Sequence, residues 1–145
     1  MKLRIVFMGT PKFAVPILEG LVEHYQVVGV VTQPDKKKGR KQILSPSAVK
    51  EASALYNIPL FQPKNIKEDY EQILKWEPDL IVTCAYGQIL SDEILNIPKY
   101  KAINVHASLL PKLRGGSPIH HAIIDGYEET GITIMYMEKG MDKGP

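Results

Sequence analysis

The sequence predicts an α/β fold, a mostly parallel sheet with helices on both faces. Two observations predict it. Short, apolar, β-branched runs such as "LRIVFMG" and "DLIVTCAYG" recur along the chain. Segments with helical spacing alternate with them, which is the pattern of parallel strands joined by crossover helices. A third observation bounds the size: 145 residues, 44% of them apolar, suit one domain with a real core.

The elements follow in order. "LRIVFMG" (3–9) reads as a buried strand ending at glycine. Residues 13–24 read as a helix, with Phe13, Val15, Leu18, Leu21 and Val22 near helical spacing and Pro16 suited to the first turn. "QVVGVVTQ" (26–33) is a second strand. "PDKKKGRKQILSPS" reads as a loop, because Pro, Gly and Ser punctuate it and periodicity is nearly absent. Residues 47–57 read as a helix capped by Ser47, with Val49, Ala52, Leu55 and Tyr56 facing inward. "IPLFQP" is a short strand, and 68–78 a helix stopped by Pro78. "DLIVTCAYG" (79–87) is the most hydrophobic strand. A short helix capped by Ser91 spans 90–98, a strand 101–107, a helix 118–126 and a late strand 130–140.

Composition excludes several classes. No apolar run approaches the ~20 residues that a membrane-crossing helix needs. The N-terminal apolar run is too short for a signal sequence, so a cytoplasmic setting is expected. A single cysteine, Cys84, rules out an internal disulfide framework and reads as a small buried hydrophobe. No Cys or His pair has zinc spacing, so no metal is expected. "MGTPKFAVP" has one glycine after the first strand but is not G-x-G-x-x-G, so a dinucleotide is not indicated. A net charge of +2 announces no global basic field, and any nucleic-acid signal must be local.

Such sheets bind ligands outside the carboxyl ends of their strands. The loops after residues 9, 32, 85 and 106 are therefore expected to line one edge. Asn104 and His106, in "AINVHA", stand two apart on a strand and so share a face near its carboxyl end. An amide donates hydrogen bonds, and an imidazole exchanges a proton near neutral pH. Together they suit a reaction in which a carbonyl oxygen becomes negative while a nucleophile loses a proton. A carboxylate is the usual third member, and Asp125, Asp142, Glu128, Glu129 and Glu138 are candidates. The competing reading is a hydrogen-bonded core histidine. His120 and His121 read as structural or surface, and His24 as a helix-end residue.

Lys36, Lys37, Lys38, Arg40 and Lys41 fall within six residues, the one strong positive patch in a nearly balanced chain. One reading is a solvated loop. The other is phosphate contact, favoured by its place after a strand on the expected site edge. Gly39 and like-charge repulsion both oppose a fixed conformation.

"FMGTPKFAVPILEGL", "VVTQPDKKKGRK", "DLIVTCAYGQIL", "INVHASLLPKLRGGSPIHHAIIDG" and "ETGITIMYMEKGMDKG" together resemble, in order, the N-terminal formyltransferase domain of the methionyl-tRNA formyltransferases. These belong to the folate-dependent formyltransferase superfamily. The resemblance covers essentially the whole chain and implies a Rossmann-like sheet. It also implies transfer of a formyl group from 10-formyltetrahydrofolate to the methionine amine of initiator methionyl-tRNA, for translation initiation. The catalytic set it implies is Asn104, His106 and Asp142. Ser108, Leu109, Leu110 and Pro111 match a folate-contacting segment, and Tyr86, Gly87, Gln88, Ile89 and Leu90 match backbone that cradles the pterin. The basic segment matches a tRNA-contacting insertion, with Arg40 its most prominent arginine. Residues 1–145 are then expected to be an N-terminal catalytic domain, truncated before a C-terminal tRNA-binding domain, and monomeric. Two alternatives stay open. One is a sibling formyltransferase or formyl-folate hydrolase acting on a small substrate. The other is a non-catalytic folate- or RNA-binding fragment.

Overall fold

The computed structural model describes residues 3–107 and 132–136. Among the described residues, six strands form one sheet: β1 (Arg4–Gly9), β2 (Gln26–Val31), β5 (Leu60–Phe61), β6 (Leu80–Cys84), β7 (Ala102–Ala107) and β8 (Ile132–Tyr136). Their order across it is β5-β2-β1-β6-β7-β8. The pairings β1 with β2, β1 with β6, β2 with β5 and β6 with β7 are parallel, and β8 runs antiparallel on β7. The expected Rossmann-like, mostly parallel sheet is present. From β1 the chain builds outward to β2 and β5 on one side, then returns to build β6, β7 and β8 on the other. The switch point lies between β1 and β6, and the site crevice belongs at their carboxyl ends.

Alternation along β1 explains why both faces are covered. Ile5 and Phe7 enter one core with Leu18, Leu21, Val49 and Val82. Val6 and Met8 enter the other with Ile73, Ile81, Ile94 and Leu95. The first core lies under α1 (Val15–His24) and α2 (Ala48–Leu55), and the second under α3 (Glu71–Trp76) and α4 (Asp92–Leu95). Pro16 falls in the first turn of α1. Ser47 and Ser91 cap α2 and α4, each accepting from the backbone N–H three residues on.

Two expectations are corrected. The basic segment is a paired hairpin, not an irregular loop: β3 (Lys36–Lys38) runs antiparallel to β4 (Ile43–Ser45). Its tip closes where Gly39 takes φ 76° and Gln42 donates its backbone N–H to Gly39 O at 3.2 Å. Leu55 and Tyr56 do not face inward; they are 81% and 40% exposed. Each i+3 step falls about 60° short of a full turn, so two steps from Val49 carry Leu55 off the buried stripe. Tyr56 lies at the helix C-cap, where its hydroxyl donates to Glu19 Oε2 at 3.2 Å. The helix expected over 118–126 lies outside the described residues.

Candidate active site

Three loops meet at the carboxyl edge of the sheet, and side chains tie them together. Thr10, just after β1, donates its hydroxyl to Tyr86 O at 2.7 Å, beyond the end of β6. Gln33, after β2, donates its backbone N–H to Thr10 Oγ1 at 3.4 Å. Gln88 then joins the sets: its amide nitrogen donates to Gln33 Oε1 at 2.8 Å and Pro63 O at 3.1 Å. Its oxygen accepts from Ile66 N at 2.7 Å.

Asn104 and His106 project from β7 on the face that carries α3 and α4. Asn104 is buried at 8% exposure, whereas His106 is exposed at the rim. Asn104 Nδ2 lies 3.2 Å from His106 Nε2, so the sequence expectation that the two stand side by side holds. An amide nitrogen only donates, so His106 Nε2 accepts, and the neutral ring carries its proton on Nδ1. Thr83 Oγ1 on β6 donates to Asn104 Oδ1 at 2.7 Å. Sequence reasoning misses Thr83. Its only signal is one hydroxyl in a strand whose other members, Leu80, Ile81, Val82 and Cys84, are apolar or nearly so. Asp142, and Ser108 to Pro111, lie outside the described residues.

The "AYGQIL" segment is sharply bent. Ala85 takes φ 52° and Gly87 φ 105°. A Cβ on Gly87 would sit 2.6 Å from Gln33 Nε2, the far end of a side chain that can swing aside, so it is the positive φ that calls for glycine there. The side chains of this segment mostly turn inward. Tyr86 and Leu90 are 4% and 2% exposed in the second core, and the Gln88 amide is used within the protein. Ile89 is the exposed apolar side chain. Gly87, Gln88 and Ile89 make no backbone-to-backbone hydrogen bond among the described residues, so peptide edges are what this bend offers a ligand.

The hairpin stands beside this edge. Residues opposite one another in an antiparallel pair share a face. The register therefore puts Lys36 and Lys38 on one face with Ile43 and Ser45, and Lys37 on the other with Leu44. The first face borders a cleft of about 370 Å³ lined also by Thr10, Lys12 and Ser47. Nothing in the sequence pattern points to Lys12; only the fold carries it to Lys36 and Lys38. The hairpin root is anchored by Asp35, which pairs with Lys50 at 3.0 Å and accepts from Gln62 at 2.8 Å. The Gln62 amide and then the Lys50 ammonium hold its carboxyl below the ordinary carboxylate range. Arg40 and Lys41 are exposed at the tip.

Among the described residues no three His, Cys, Asp or Glu side chains gather as a metal would require, and no helix is long and apolar enough to cross a membrane. Comparison with known proteins places the site in context. A methionyl-tRNA formyltransferase of Bacillus cereus (strain B4264) is 59% identical over 145 residues, 98% of this chain and 46% of that protein. The chain thus spans about half the length of the curated relatives it matches. Glycinamide ribonucleotide transformylase 1 of Geobacillus kaustophilus superposes with a TM-score of 0.59 at 27% identity, covering 100% of this chain and 79% of that one. Phosphoribosylglycinamide formyltransferase of Bacillus halodurans shares the fold, with a TM-score of 0.60 at 23% identity over 98% and 75% of the two chains. Residues 1–145 match the formyl transferase family from end to end, and the chain belongs to that family.

Proposed function

We propose that this chain is the catalytic domain of a methionyl-tRNA formyltransferase, moving the formyl group of 10-formyltetrahydrofolate to the methionine amine of initiator methionyl-tRNA. The observation that carries the reading is the buried Asn104 amide held 3.2 Å from an exposed His106 at the carboxyl edge of the sheet. The 59% identity to a relative of that name favours the tRNA substrate over a small one. The hairpin agrees with it, since one small substrate has little use for five clustered cations.

The residues divide the work. The methionine amine attacks the formyl carbon, whose oxygen becomes negative. The Asn104 amide donates to that oxygen, and such a donor is worth about 3 kcal/mol of barrier. When His106 takes a proton at Nε2, that nitrogen stops accepting from Asn104 and becomes a second donor. Two donor nitrogens 3.2 Å apart can then share one oxygen. The proton lost by the amine passes to the departing folate nitrogen, with Asp142 favouring the charged imidazole. Peptide edges at Gly87 to Ile89 suit the polar rim of a pterin, and Ser108 to Pro111 complete the folate contacts. Lys36, Lys37, Lys38, Arg40 and Lys41 meet tRNA phosphates, with Lys12 across the cleft.

The test is His106→Ala in the full-length enzyme. The imidazole acts on charge that develops in the transition state, so kcat should fall by a factor of about 100 or more while formyl-folate binding stays near wild type. An unchanged kcat would remove the acid–base assignment.

A further inference from the structure

Thr83 stands directly across the parallel β6–β7 pair from Asn104. Both are buried, at 3% and 8% exposure. The Thr83 hydroxyl donates to Asn104 Oδ1 at 2.7 Å, and Asn104 Nδ2 meets His106 Nε2 at 3.2 Å. An amide oxygen only accepts and an amide nitrogen only donates, so the run has one direction: hydroxyl to carbonyl, then amide N–H to imidazole nitrogen. We infer that Thr83 is a positioning residue for formyl transfer, whose hydroxyl locks the Asn104 amide with its N–H side toward the reacting oxygen and so selects the Nδ1–H tautomer of His106. The inference rests on the reading of Asn104 and His106 as the catalytic pair.

The physical reason is the near symmetry of a primary amide. Its two orientations, related by a half-turn, fill almost the same space. They differ in which atoms face the edge of the sheet. One presents N–H to developing negative charge; the other presents carbonyl lone pairs, which would repel it. Stabilisation of this kind depends on donors that are already aimed before reaction. A hydroxyl can donate or accept, so what holds the orientation is the direction of this bond, from Thr83 Oγ1 to Asn104 Oδ1, and donation into a carbonyl also strengthens the amide N–H as a donor. Packing alone does not call for threonine here. Valine has the same shape, and Leu80, Ile81, Val82 and Cys84 around it on β6 are all buried. A hydroxyl in that row answers a need, and its partner lies 2.7 Å away.

The experiment compares wild type, Thr83→Val and Thr83→Ser in the full-length enzyme, with ¹⁵N-labelled histidine. Imidazole ¹⁵N shifts at about pH 8.5, where a free imidazole is neutral, report which nitrogen carries the proton. The His106 signals are identified by their absence from His106→Ala. Wild type should show the proton on Nδ1. Thr83→Val should move the population toward Nε2–H and lower kcat about tenfold or more, leaving KM for the formyl donor within about twofold. Thr83→Ser, which keeps the hydroxyl and loses a methyl, should restore both readouts. A Val variant with the wild-type tautomer overturns the role of Thr83, whatever its rate. So does a loss of rate that Ser fails to restore. A shifted tautomer with unchanged kcat instead overturns the catalytic reading of the pair on which the inference rests.

Discussion

Replacing Tyr86 by Phe should stabilise the protein. Tyr86 packs with Ile66, Ile73, Leu90 and Ile94 at 4% exposure, and its buried hydroxyl has no hydrogen-bond partner among the described residues. An unsatisfied buried donor costs about 1–3 kcal/mol. Removing the oxygen leaves a void of about 10 Å³, which returns only about 0.2 kcal/mol of that. The net gain at neutral pH is about 1–2 kcal/mol. A second signature follows from titration. Burial pushes the Tyr86 phenol well above its ordinary value of about 10. A raised folded-state value means stability that is complete below pH 10 and is lost as pH climbs from there toward the folded value. Wild type suffers that loss and the Phe variant does not. The advantage of Tyr86→Phe should therefore widen above about pH 10, by up to about 1.4 kcal/mol per unit. Tyr25, Tyr56 and Tyr70 are also shifted upward, but they are present in both proteins and cancel. Paired urea titrations at pH 7 and in steps above pH 10 read both effects from midpoints at constant slope. KM for the formyl donor should not change, because this ring belongs to the core and the proposed ligand contacts are made by the backbone. A Phe variant less stable than wild type by about 1 kcal/mol, a size typical of one lost hydrogen bond, would refute the reasoning.

Two further outcomes are expected. Gly87→Ala forces a Cβ to within 2.6 Å of Gln33 Nε2 at φ 105°. It should cost about 1–2 kcal/mol in thermal or urea unfolding and raise KM for the formyl donor more than it lowers kcat, because it shifts the backbone bend. An unaffected KM would remove this bend from the folate site. Neutralising Lys36, Lys37, Lys38, Arg40 and Lys41 together should weaken tRNA binding and flatten its dependence on salt, by about 0.7–0.9 in log–log slope for each phosphate the hairpin no longer neutralises. Lys12→Ala should act with the Lys36/Lys38 pair rather than with Lys37, which lies on the opposite hairpin face. Identical slopes across these variants would leave the hairpin a solvated surface.

Local pattern alone determined much of this protein. The run "LRIVFMG" is buried on both faces, so every residue is apolar or glycine past Arg4, and a central strand is legible from composition. Ser47 and Ser91 announce helix starts because a cap joins residues three apart. Asn104 and His106 are side by side because strand spacing is two, a geometry no tertiary contact needs to supply. The hairpin was not legible: three lysines in a row carry no alternation, and what pairs them is the opposing strand Ile43–Ser45. The fates of Tyr86, Gln88 and Leu90 were not legible either, since a motif does not say which of its side chains the core will take. Two placements are purely tertiary. Lys12 reaches Lys36 and Lys38 only because β1 and β2 are parallel and end at one edge. Thr83 meets Asn104 only because β6 and β7 pair in that register, 21 residues apart in sequence. Sequence periodicity reports the face a residue takes within its own element; the register between elements decides which residue stands beside it.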